Sequence, residues 1–184
     1  MPVNPSAPEG KSLKYGRVER ERRFLLAGLP DGAVVQRAAI TDRYITGTHL
    51  RLRRTEYGDR TERKLAQKTH GLITNIYADE DEYDALATLP AHVLHKTRLS
   101  IPPFGVDVFE GALTGLIMAE IEFDTDEKMA GFEPPSWVVA EVTDDIRFTG
   151  GRLVTMTSEE LSAVLAEFSL EAAPDPVSPS PPPG

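Results

Sequence analysis

The chain has 184 residues, 40% of them hydrophobic, with a net charge of -9, a mass of 20.2 kDa and a mean hydropathy of -0.28. This suits one soluble domain with a real core and excludes a membrane helix, since no run approaches the ~18 apolar residues one needs. The absence of cysteine excludes a disulfide framework, thiolate zinc and a cysteine nucleophile. The four histidines, His49, His70, His92 and His95, lack helical ligand spacing, which disfavours imidazole zinc.

Residues 1–15, with three prolines in the first ten and no apolar leader-like stretch, are expected to be a disordered N-terminal segment, and the protein is expected to be cytoplasmic. The first predicted strand, 18–26, reads Val-Glu-Arg-Glu-Arg-Arg-Phe-Leu-Leu. Alternate residues of a strand share a face, so Glu19, Glu21 and Arg23 project together. Neighbouring carboxylates repel unless a cation lies between them. Mg²⁺ or Mn²⁺ prefers hard oxygen ligands, and a nearby Arg suits an anion, so the trio reads as half of a metal-phosphate site. A solvated, charged edge strand gives the same local pattern.

Further strands are predicted over 39–46, 49–57, 61–69, 93–101, 105–110, 116–124 and 137–142, making eight, with Gly58-Asp59 and 111–115 as hairpin connections. Helices are predicted over 79–89, opened by acidic residues and stopped before Pro90, and over 158–170, capped by Ser158 and striped with Leu161, Val164, Leu165 and Phe168. A short helical turn is expected at 125–130. Residues 172–184, with six prolines, are expected to be a disordered Pro/Ser-rich tail, leaving 16–171 as the folded domain.

Residues 1–68 carry 15 Lys/Arg against 8 Asp/Glu, whereas residues 69–184 carry 5 against 21. The arginines of the basic half alternate along strands among carboxylates, which argues against a nucleic-acid stripe. Arg51 and Arg53 oppose Leu50 and Leu52, Lys64 and Lys68 oppose Leu65, Lys96 and Arg98 share a face, and Glu120 and Glu122 oppose Ile121 and Phe123. One such strand is most simply apolar-in and charge-out. Repeated in five strands, with amphipathic helices available to cover the outside, the pattern also permits charges facing a barrel lumen, where basic groups would bind phosphates and paired carboxylates a divalent metal.

The ordered series Glu19-x-Glu21-x-Arg23, Arg51-x-Arg53, Gln67-Lys68-Thr69, Lys96-x-Arg98, Asp107 before a turn, Glu120-x-Glu122 and Glu141-Val142-Thr143 resembles the CYTH, or triphosphate tunnel metalloenzyme, family. The resemblance runs from about residue 18 to 153. It implies a mainly β (α+β) fold, an eight-stranded antiparallel β-barrel tunnel with peripheral helices. It also implies Mg²⁺- or Mn²⁺-dependent hydrolysis of inorganic tripolyphosphate or a small organic triphosphate. By position, Glu19, Glu21, Glu120 and Glu122 resemble the metal-binding acids, Asp107 an additional catalytic acid, and Arg23, Arg51, Arg53, Lys68, Lys96 and Arg98 the phosphate clamps. The expected partner is a triphosphate-containing small molecule, with neither nucleic acid nor membrane. Arg23 departs from the family's usual Lys, and Phe148 with Gly150-Gly151 departs from its usual Tyr and Asn. A class IV-like adenylate cyclase and a noncatalytic polyphosphate- or nucleotide-binding module are the alternatives.

Overall fold

The computed structural model describes residues 16–69 and 72–172. Both segments expected to be disordered, apart from Ala172, lie outside the described residues. In chain order the elements are β1 (Arg17–Val18), β2 (Glu21–Leu26), β3 (Gln36–Ile45), β4 (Leu50–Tyr57), β5 (Arg60–Thr69), β6 (Leu72–Tyr77) and α1 (Glu80–Ala87). These are followed by β7 (Ala91–Ile101), β8 (Phe104–Phe109), β9 (Ile117–Glu122), α2 (Asp126–Ala130), β10 (Val138–Glu141), α3 (Gly150–Leu153) and α4 (Ser158–Ala166).

All strand pairings are antiparallel, in the order β1-β6-β5-β4-β3-β7-β8-β9-β2-β10. The mainly β class therefore holds, with few helices. The eight-stranded closed barrel does not appear: the described sheet has ten strands and ends at β1 and β10. The expected strand 18–26 is interrupted at Glu19 and Arg20, and β6 was not foreseen. Its Leu-Ile-Thr-Asn-Ile-Tyr sequence lacks clean alternation, and its last three residues are all exposed. The interruption has a topological result. β1 pairs with β6, while β2 pairs with β9 and β10, so one short stretch of chain takes part in both ends of the sheet.

The predicted two-residue connection joins β4 to β5, where Tyr57 faces Arg60 and Gly58 takes φ +62°, a conformation open to glycine at little cost. Helix α1 starts with a capping box in which Glu82 N–H donates to Asp79 Oδ1 (2.8 Å) and Asp79 N–H donates to Glu82 Oε2 (3.0 Å). Helix α4 is capped by Thr157 rather than Ser158, in a second capping box with Glu160, and stops at Ala166.

Alternation along the strands separates two cores. Phe24, Leu26, Leu99, Ile101, Phe104, Val106, Ala119 and Ile121 form one, covered by Phe123, Phe132 and Trp137; the Phe104 and Trp137 rings stand edge to face at 4.9 Å. Leu25, Leu94, Phe109 and Met118 form the other with Phe148, Leu153, Leu161 and Leu165 of the C-terminal segments. Complete burial of side chains such as Phe24 and Leu25 contributes about 1.5–3 kcal/mol each. Among the described residues no helix is long and apolar enough to cross a membrane.

Candidate functional site

A cavity of about 600 Å³ is lined by Glu19, Glu21, Arg23, Arg51, Arg53, Lys68, Lys96, Arg98, Glu120 and Glu122, ten of the eleven expected site residues. The strand ladders bring them together. Glu21 lies opposite Glu122 and Arg23 opposite Glu120 across β2 and β9, while Arg53 lies between Asp42 on β3 and Lys64 on β5. Asp107 is the exception. It is fully buried and stands behind the wall, accepting from Lys96 Nζ (2.5 Å) and from Arg98 Nε (2.7 Å) and Nη2 (2.6 Å).

Most of the cations are already engaged. Arg98 also donates to Glu120, and Lys68 to Glu19. Arg53 makes two parallel bonds of 2.6 Å to buried Asp42, the strongest geometry available to a guanidinium. Arg23 donates to the carbonyls of Phe148 (2.8 Å) and Thr143. Arg51 stands 3.7 Å from Asp42, and its buried Nε has no partner among the described residues.

Burial pushes the Glu21 carboxyl above the ordinary range, and Glu120 and Glu19 add to the effect against Lys68 and Arg23. Burial acts the same way on Asp42, but Arg53 and then Arg51 and Lys96 outweigh it, lowering Asp42 to about 2. Glu120 is likewise lowered, burial being overcome by Arg98 and Lys96. Burial also pulls Lys96 below its usual value despite Asp107. The cavity is thus lined by cations on β4, β5 and β7 and by carboxylates of the 19–21 segment and β9, which meet where Arg98 donates to Glu120 and Lys68 to Glu19.

Four hard-oxygen side chains on one cavity, one of them held above its normal pKa by burial and then by neighbouring acids, are the right chemistry for Mg²⁺ or Mn²⁺. Among the described residues no three carboxylate or imidazole groups are gathered tightly enough to hold an ion, because Glu19 and Glu120 are turned to Lys68 and Arg98.

No protein-family model matches the chain. An inorganic triphosphatase of Nitrosomonas europaea is 33% identical over 143 residues, spanning 71% of this chain and 92% of that protein. The chain belongs to the CYTH, or triphosphate tunnel metalloenzyme, family. Two crystal structures of the protein NE1496 agree. One, described as an inorganic triphosphatase, has a TM-score of 0.55 and 29% identity over 75% of this chain and 95% of its own. The other, described as a hypothetical protein, has a TM-score of 0.54 and 28% identity over 76% and 99%.

This CYTH chain's departures have physical counterparts. Arg23 reaches two carbonyls of the C-terminal segment, a forked contact unsuited to a lysine ammonium. Glu141 lies outside the cavity lining and pairs with Arg22 at 2.6 and 2.8 Å. Arg147 is likewise outside it, clamped by Asp145 and Glu167. Gly150 allows a close fit in the cavity lining, since a Cβ there would lie 1.8 Å from the Tyr44 hydroxyl oxygen. Sequence reasoning missed Asp42, Tyr44 and the 149–151 segment as lining residues. Asp42 leaves a signal, an acid inside a strand, where Asp is depleted; Gly150 leaves only its departure from the family's pattern, because its neighbour is distant in sequence.

Proposed function

We propose that this protein is a divalent-metal-dependent triphosphatase that hydrolyses inorganic tripolyphosphate or a small organic triphosphate. The observation that carries the reading is one cavity lined both by a cluster of lysines and arginines and by four glutamates; the identity with an inorganic triphosphatase supports it. The sheet acts as a tunnel around this cavity, a reading supported by the part that 17–26 takes in both ends of the sheet.

In this reading Arg51, Arg53, Lys68, Lys96, Arg98 and Arg23 neutralise the phosphate oxygens, and Glu19, Glu21, Glu120 and Glu122 hold the metal. Glu19 and Glu120, which accept from Lys68 and Arg98, would be released to hold the ion where those cations turn to phosphate. Mg²⁺ or Mn²⁺ would supply charge neutralisation and a more acidic water for in-line attack on the terminal phosphorus. A glutamate on the cavity wall would orient the attacking water. Asp107, buried behind Lys96 and Arg98, positions those cations instead of touching water.

The test is a panel of tripolyphosphate, ATP and thiamine triphosphate with Mg²⁺, with Mn²⁺ and with chelator, read for orthophosphate, pyrophosphate and cyclic AMP. Orthophosphate release that needs the metal supports the proposal. Cyclic AMP with pyrophosphate from ATP would make the protein a cyclase, and the absence of any product would make it a binding module.

A further inference from the structure

We infer that Lys64 on β5 is an additional triphosphate-binding residue, which takes a phosphoryl oxygen beside Arg51. The inference rests on the triphosphatase reading.

Lys64 borders the cavity between Arg53 on β4 and Tyr77 on β6, its register partners on either side. Its side chain is 22% exposed, enclosed enough to feel its neighbours yet open to a ligand. Those neighbours leave positive charge uncompensated. The Asp42 carboxylate is occupied by both bonds from Arg53 and reaches Arg51 only at 3.7 Å, and the nearest acid to Lys64, Glu62, also stands off at 3.7 Å. Lys68, Lys96 and Arg98 by contrast each touch a carboxylate, so an incoming phosphate must displace an acid there. At Lys64 and Arg51 it has far less to displace.

An ammonium carries three donors and no acceptor, and like charges crowded in a partly dry cavity destabilise the empty fold until an anion enters. Burial, with Arg53 and Arg51 adding to it, pulls the Lys64 ammonium below its ordinary pKa, the same strain seen from the proton's side. A purely structural role would need a tight acidic partner.

The experiment compares Lys64→Met, which keeps the aliphatic stem, Lys64→Arg, which keeps the charge, and Glu62→Gln. Steady-state hydrolysis of tripolyphosphate with Mg²⁺ gives KM and kcat, and thermal melting gives stability. Lys64→Met should raise KM about tenfold, the loss expected for one hydrogen bond between charged groups, with a melting temperature equal to or above wild type. Lys64→Arg should restore KM, and Glu62→Gln should leave KM unchanged or lower. An unchanged KM in Lys64→Met overturns the inference while leaving the triphosphatase reading intact. A parallel loss of stability and affinity in Lys64→Met and Glu62→Gln overturns it too, in favour of a structural ion pair. A wild type that fails to cleave tripolyphosphate removes the triphosphatase reading and this inference together.

Discussion

Asp42 and Glu21 show how burial produces opposite results according to the partners it supplies. Asp42 is 1% exposed and held by Arg53, so its carboxyl is lowered to about 2 and stabilises the fold when ionised. That stability is present above the unfolded carboxyl's pKa and is lost as pH falls through the folded value. Asp42→Asn should therefore cost about 3–5 kcal/mol at neutral pH, since Arg53 is left buried without its acid. The penalty should shrink as pH falls toward about 2, checked by denaturant unfolding of both proteins across pH. Glu21 is raised by burial and by Glu120, so its contribution has the other sign: it is most favourable below the unfolded pKa and lost as pH rises through the folded one. Glu21→Gln should melt higher than wild type at neutral pH and lose that advantage in acid, while metal-dependent phosphate release falls away. A variant no more stable at neutral pH, with wild-type turnover, would remove Glu21 from the acidic wall.

One part of the cavity lining depends on contact between β3 and the first residue of α3. Tyr44 packs on Gly150 so closely that a Cβ at 150 would meet the Tyr44 Oη at 1.8 Å and Cζ at 2.9 Å. Gly150→Ala should thus cost about 1–3 kcal/mol, the usual range for overpacking. Tyr44→Phe removes the atom in worst conflict, so Gly150→Ala should cost less in that background than in wild type. Unfolding free energies of the four proteins in this double-mutant cycle measure the coupling, and strict additivity would mean that the two groups do not meet. Arg23 braces the same segment through the Phe148 and Thr143 carbonyls. Arg23→Lys should accordingly lower the melting temperature, because an ammonium lacks the fork that spans two acceptors.

The protein as a whole is acidic, with a net charge of -9, yet an anionic substrate must enter a cavity whose β4 and β5 wall is cationic. The local field therefore has to overcome a repulsive surrounding one. Added salt should raise KM for tripolyphosphate, since attraction to partly exposed cations is screened over roughly 10 Å at 0.1 M ionic strength. Rates measured across a KCl series at fixed Mg²⁺ check this. A KM independent of salt would mean that binding is governed by contacts too enclosed for screening to reach.

Strand alternation was enough to put Arg51 with Arg53, Lys96 with Arg98 and Glu120 with Glu122 on shared strand faces, because the period of two is a local property of the backbone. The helices expected to cover the outside do not do so at β7 to β9, whose apolar face is covered instead by Phe123, Phe132 and Trp137, while α4 packs with Leu94, Phe109 and Met118. Periodicity could not say that 18–26 would break at Glu19 and Arg20, or that the less regular Leu72–Tyr77 would join the sheet. Both depend on which strands pair across long stretches of chain. Nor could it assign partners to charges. Asp42 and Asp107 are buried beneath the cations, Glu19 and Glu120 are tied to Lys68 and Arg98, and Lys64 is left without close compensation. A strand's sequence determines the face on which a charge emerges; the countercharge it meets depends on the register of neighbouring strands and on the solvent they exclude.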